Sequence, residues 1–117
     1  MRYALYAEGF YRALKRLNHL RVPIIVTENG APDSKDILRE EWIKKYIYAM
    51  QKAIFEGVNV TGFFYWSLMD NFEWAEGYKQ KFGLYHVDFK TQKRTLRNGS
   101  KIYVKIIEEH KKQSKQL

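Results

Sequence analysis

Apolar residues recur near the start of the chain at helical intervals. Phe10, Leu14 and Leu17 stand four and three apart, with Arg12, Lys15 and Arg16 between them, which predicts an amphipathic helix over 6–17. The pattern then changes. Val22-Pro23-Ile24-Ile25-Val26-Thr27 shows no polar alternation and is rich in β-branched side chains, so it predicts a strand covered on both faces and ended by Glu28-Asn29-Gly30. Pro23 suits the beginning of such a strand, where its missing N–H takes no donor from the middle of a ladder. Helical spacing returns in Leu38, Trp42, Ile43, Tyr46, Ile47, Met50 and Ile54, predicting a second helix over 36–55. Asp33 or Ser34 would cap its start and Gly57 its end. A second apolar run, 58–69, dense in Phe63, Phe64, Tyr65 and Trp66, predicts another buried strand that stops at Asp70-Asn71. An aromatic loop over 72–88, a turn over 91–94 and a last helix over roughly 100–110, with Ile102, Ile106 and Ile107 among its apolar positions, complete the order.

Helix, strand, helix, strand, long loop, helix, with strands that lack period-2 polarity, points to an α/β fold built of parallel βα units. Sites in such architectures form at the carboxyl ends of the strands, and in βα barrels above all. Glu28 stands where such a site would be. Taken alone it reads better as a surface carboxylate or a loop cap, because loops are generally exposed. By the same measure Phe63, Phe64, Tyr65 and Trp66 read as packing residues.

Composition narrows the possibilities. With 117 residues, 45% of them hydrophobic and 16% aromatic, the chain fits one globular domain over 1–117 with a real core. The absence of cysteine excludes disulfides and thiolate metal sites. His19, His86 and His110 lack ligand spacing, so neither a metal nor a cofactor is expected. A net charge of +8 raises nucleic-acid binding as a possibility. The excess is spread out, however, and partly confined to Lys101, Lys105, Lys111, Lys112 and Lys115, so a solvated helix face is expected and no nucleic-acid partner. Charges within residues 1–20 deny that segment the character of a signal peptide, and no stretch reaches transmembrane length. A cytoplasmic protein without a membrane partner is the expectation. Asn59-Val60-Thr61 and Asn98-Gly99-Ser100 match a glycosylation pattern and are read as accidental.

Longer motifs change the reading of Glu28. The string from Val22 through Thr27-Glu28-Asn29-Gly30 resembles the T-E-N-G motif of the family 1 glycoside hydrolases. Gly62-Phe63-Phe64-Tyr65-Trp66-Ser67-Leu68-Met69-Asp70-Asn71-Phe72-Glu73-Trp74 resembles that family's last barrel strand and sugar-binding loop. Gly77-Tyr78, Phe82-Gly83-Leu84 and Val87-Asp88-Phe89 follow in the family's order. The resemblance covers nearly the whole chain.

It implies a partial (β/α)8 TIM barrel, the last two βα units with a preceding helix, from a retaining β-glycosidase of β-glucosidase type. Glu28 would be the nucleophile that attacks the anomeric carbon and carries the glycosyl group covalently. Glu73 would accept hydrogen bonds from sugar hydroxyls. Trp66 would offer a flat apolar face, the Trp74 indole would donate, and Phe82 would wall the same subsite. In phospho-specific relatives the loop after the last strand usually carries Ser and Lys in place of the Glu73-Trp74 pair, so the resemblance favours an unphosphorylated β-glucoside or related sugar as substrate, with galactosides and phosphorylated sugars left open. The family's acid/base glutamate lies in an N-E-P motif on an earlier strand, and that tripeptide does not occur here. Glu40, Glu41 and Glu56 fall on the predicted second helix, away from the strand ends. The expectation is therefore a C-terminal fragment that needs the remaining barrel for turnover and that pairs with it or self-associates. A split enzyme, a gene fragment and a relic are all compatible with this, as is a non-catalytic carbohydrate binder.

Overall fold

The computed structural model describes residues 3–115. Helix α1 spans Ala7–Leu17, strand β1 Ile24–Asn29, helix α2 Arg39–Phe55 and strand β2 Val60–Tyr65. A short hairpin of β3 (Tyr85–Val87) and β4 (Arg94–Leu96) follows, and helix α3 (Lys101–Ser114) closes the order. β1 and β2 pair in parallel, while β3 and β4 pair antiparallel.

The expectations for the strands require correction. β1 begins two residues later than expected, leaving Val22 and Pro23 outside it, and extends through Asn29, so Glu28 lies inside the strand's last turn of pleat. β2 is shorter than the apolar run that announced it, because after Trp66 the chain changes partners. Leu84 and Tyr85 donate their N–H groups to Ser67 and Leu68, and Met69 bridges in parallel to Tyr85. β3 fell within the expected loop, and β4 starts at the end of the expected turn and runs past it; neither was expected, since three-residue strands carry almost no pattern.

The strands are not covered on both faces among the described residues. Val26 and its register partner Phe63 point to the helices, where Val26 joins Leu14, Ala53 and Val58 in one core cluster. On the opposite face Ile25 and Phe64 are 56% and 60% exposed. A second cluster of Ala31, Trp42, Ile43, Tyr46, Ile47, Tyr65 and Leu84 lies between α2 and the carboxyl ends of the strands. Ile102, Tyr103 and Ile106 of α3 pack against it, and the Tyr103 hydroxyl donates to the Phe63 carbonyl at 3.2 Å.

Both ends of α2 are satisfied as its sequence demands. The Asp33 carboxylate accepts N–H bonds from Ile37, Leu38 and Arg39 at 3.2, 2.8 and 2.8 Å, meeting donors that no earlier turn can reach. At the other end Gly57 takes φ +90, its N–H bonding to Ile54 and that of Val58 to Ala53, a Schellman closure.

The candidate active site at the strand ends

The cleft lies where β1 and β2 end. It measures about 710 Å³ and is lined by Glu28, Asn29 and Gly30 from β1 and its exit, by Trp42 and Tyr46 from α2, and by Trp66, Glu73, Trp74 and Phe82 from the loops after β2, with Tyr3 and Ala4 beside them. Glu28, Trp66, Glu73, Trp74 and Phe82, five residues spread over 55 positions of sequence, thus share one cavity.

Local geometry accounts for how each reaches it. The β1–β2 register shifts between Val26 and Asn29, so Thr27 and Glu28 have no Cα partners on β2. Irregularities of this kind re-aim side chains next to sites, and here one falls at the candidate carboxylate. The two strand ends are held close together, with the Trp66 N–H bonded to the Asn29 carbonyl at 3.1 Å. A Cβ at Gly30 would stand 1.9 Å from the Trp66 carbonyl oxygen, so only glycine permits this approach. The Trp66–Ser67 peptide is cis.

The loop carrying Glu73 and Trp74 is built on Asp70. This buried carboxylate accepts from the N–H groups of Gly83 and Val87 at 3.0 and 3.3 Å and from Arg97 Nη2 at 2.8 Å. It joins the exit of β2, the segment that holds Phe82 and the β3–β4 hairpin. Asn71 Nδ2 donates to Ser67 Oγ at 3.0 Å and to the Met69 carbonyl at 3.1 Å, and the Glu73 N–H donates to Gly77 at 2.8 Å. Phe82 is 4% exposed and forms a rigid wall, whereas Trp74 is 83% exposed and projects at the rim.

A second buried ionic group braces the same region from α2. Arg39 is 1% exposed; its Nη2 donates to the carbonyls of Asp33 and Lys81 at 3.0 and 3.2 Å, and its guanidinium faces the Asp33 and Asp36 carboxylates at 3.7 and 3.4 Å. Asp36 in turn accepts from Gly99 N–H at 2.8 Å. Lys81 immediately precedes Phe82, so Arg39 links the exit of β1 to the wall of the cleft.

Glu40 and Glu41 pair with Lys44 and Lys45 on the exposed face of α2, and Glu56 pairs with Lys15 at 3.0 Å; none of the three lines the cleft. Among the described residues no group of three or more His, Cys, Asp or Glu side chains stands together as a metal site, and no helix is long and apolar enough to cross a membrane. Sequence reasoning took Trp42 and Tyr46 for helix core only and missed their edges in the cleft. Their i, i+4 spacing placed them on one face, but only the packing against β1 showed that this face reaches the site.

Two parallel strands with helices on one face and a carboxylate among aromatic rings at the strand ends define a portion of a parallel α/β protein, with its cleft where such proteins form their sites. The chain belongs to the Glycosyl hydrolase family 1, whose sequence profile matches residues 1–112. The β-galactosidase of Pyrococcus woesei is 47% identical over 96 residues, covering 82% of this chain and 19% of that protein. Among solved structures, the β-glucosidase from Thermotoga maritima in complex with glucoimidazole matches with a TM-score of 0.86 at 37% identity, over 91% of this chain and 27% of that one. Fpglu1 from Fervidobacterium pennivoraus matches with a TM-score of 0.90 at 38% identity, over 92% and 23%. The chain thus spans about a quarter or less of the length of these relatives. The family neighbours are TIM-barrel proteins, and this α/β chain is consistent with part of such a barrel.

Proposed function

We propose that this chain is the nucleophile-bearing part of a retaining β-glycosidase, comprising the last two βα units of the barrel and acting on an unphosphorylated sugar of β-glucoside type. The observation that carries this reading is the cleft itself, in which Glu28 at the end of β1 shares one cavity with Trp66, Glu73, Trp74 and Phe82. The glucoimidazole held by the Thermotoga maritima relative is a ligand of the same sugar class.

In this reading the Glu28 carboxylate attacks the anomeric carbon as the bond to the leaving oxygen breaks. A second carboxyl group about 5–5.5 Å away gives that oxygen its proton and later takes one from the water that releases the sugar. These 117 residues contain no N-E-P tripeptide, so the second carboxyl comes from the rest of the barrel. Glu73 accepts from sugar hydroxyls, Trp66 stacks on the C–H face of the ring, Trp74 donates from its indole and Phe82 excludes water. A phosphate on the sugar would meet the Glu73 carboxylate in a partly desolvated cleft, where like charges repel strongly.

The test is complementation. The chain, paired with the upstream barrel portion of a family relative, should release aryl aglycone from a β-glucoside faster than either part alone and faster than from the 6-phosphorylated analogue. A stable pair without turnover would refute the reading. Sugar binding that persists without turnover and ignores Glu28→Gln would identify a non-catalytic binder instead.

A further inference from the structure

Asn29, the last residue of β1, is held on two sides. Its backbone carbonyl accepts from Trp66 N–H at 3.1 Å, and its side-chain Oδ1 accepts from Trp42 Nε1 at 2.9 Å. Trp42 is 4% exposed and stacks on Tyr46 with centroids 4.5 Å apart and planes 13° from parallel, so packing fixes the direction of its indole N–H. An indole nitrogen donates and cannot accept. The amide atom facing it must therefore be oxygen, and the partner's chemistry settles an orientation that is otherwise ambiguous for asparagine. Nδ2, on the other arm of the planar amide, keeps two N–H donors that meet no acceptor among the described residues. Asn29 also lines the cleft together with Glu28 and Glu73.

We propose that Asn29 is a further sugar-binding residue, donating from Nδ2 to a ring hydroxyl oxygen of the glycoside, and that Trp42 is the positioning residue that turns its amide to do so. The inference rests on the reading of the cleft as a sugar site. Its chemical logic is one of complement. A hydroxyl both donates and accepts, and the ionised Glu73 carboxylate only accepts, so a sugar bound there needs donors as well. Trp74 has one, at an exposed rim position, whereas the Asn29 amide offers two from a fixed strand end. A site with committed donors also discriminates against analogues that lack the hydroxyl, because those donors are then left unpaired.

The chain, paired with the upstream barrel portion of a family relative, is titrated with glucoimidazole, and binding is followed by tryptophan fluorescence and calorimetry. Asn29→Ala should weaken binding about tenfold, the scale of one lost hydrogen bond in a desolvated site. Asn29→Asp keeps the shape and the acceptor for Trp42 but has no donor, so it should weaken binding at least as much and guards against a folding artefact. Trp42→Phe, which removes the orienting donor together with part of the indole ring, should weaken binding about threefold in the native background and by clearly less on top of Asn29→Ala. A purely structural role for Trp42 would carry its full effect into the double variant, and that result would overturn the positioning role. Unchanged affinity in both Asn29 variants, with a native pair that binds, would overturn the proposal and leave the sugar-site reading standing. A native pair that binds no glucoimidazole would bring down that reading, and this inference with it.

Discussion

At the scale of single residues, two side chains carry separate expectations, one for chemistry and one for structure. On the proposed reading Glu28 is the nucleophile, and Glu28→Gln in the complemented pair should reduce aryl β-glucoside turnover by about three orders of magnitude or more while sugar affinity changes little, since the amide keeps the shape and loses the nucleophile. Steady-state kinetics beside direct titration separates the two effects. Arg39 is placed for structure. Replacing it by Ala strands the buried Asp33 and Asp36 carboxylates and the Lys81 carbonyl, and should cost about 3–5 kcal/mol in urea unfolding. The two residues differ in how visible they were beforehand. Glu28 stood out as a cleft residue because a whole motif surrounds it, from Val22 to Gly30. Arg39 sits at the head of an amphipathic helix and looked like any solvated charge; its burial depends on Asp33, Lys81 and Gly99 arriving from three separate segments.

At the scale of elements, α2 is the organiser: it contacts α1, α3 and the strand ends, and its two termini are fixed by specific chemistry. Gly57 takes a positive φ with open space around its missing Cβ, so Gly57→Ala adds backbone strain without a clash. The expected loss is about 1–2 kcal/mol, read from the urea midpoint. The bond between α1 and α2 gives a pH dependence. Tyr11 Oη donates to Glu56 Oε2 at 2.5 Å, and this bond, followed by that from Lys15, holds the Glu56 carboxyl below its ordinary range. A folded-state value below the unfolded value of about 4.3 stabilises the fold fully above that pH and loses its effect as pH falls through the folded value. Tyr11→Phe should therefore flatten the acid side of the stability curve, with little change in its slope at neutral pH, as urea titrations across the acid range would show. Helix periodicity foretold α2 to within three residues at its start, whereas β3 and β4 were invisible because each is three residues long and is defined by its partner.

At the scale of the whole molecule, the sheet has one face on the helices and another that presents Ile25 and Phe64 to solvent. An apolar sheet face of this kind associates. Sedimentation of the 117-residue chain by itself should show self-association that persists in high salt, and Ile25→Thr with Phe64→Thr should reduce it; a monodisperse monomer at all concentrations would refute this. Periodicity in the sequence determined the order of the three helices and the two parallel strands, and its motifs marked the carboxylate and the aromatic loop, because both kinds of signal are carried by neighbours along the chain. The tertiary structure alone decided that Trp42 and Tyr46 reach the cleft, that Trp42 turns the Asn29 amide, and that Asp70 and Arg39 brace its walls. Each of those facts is a contact between segments distant in sequence, and no local pattern encodes which distant partner a side chain will meet.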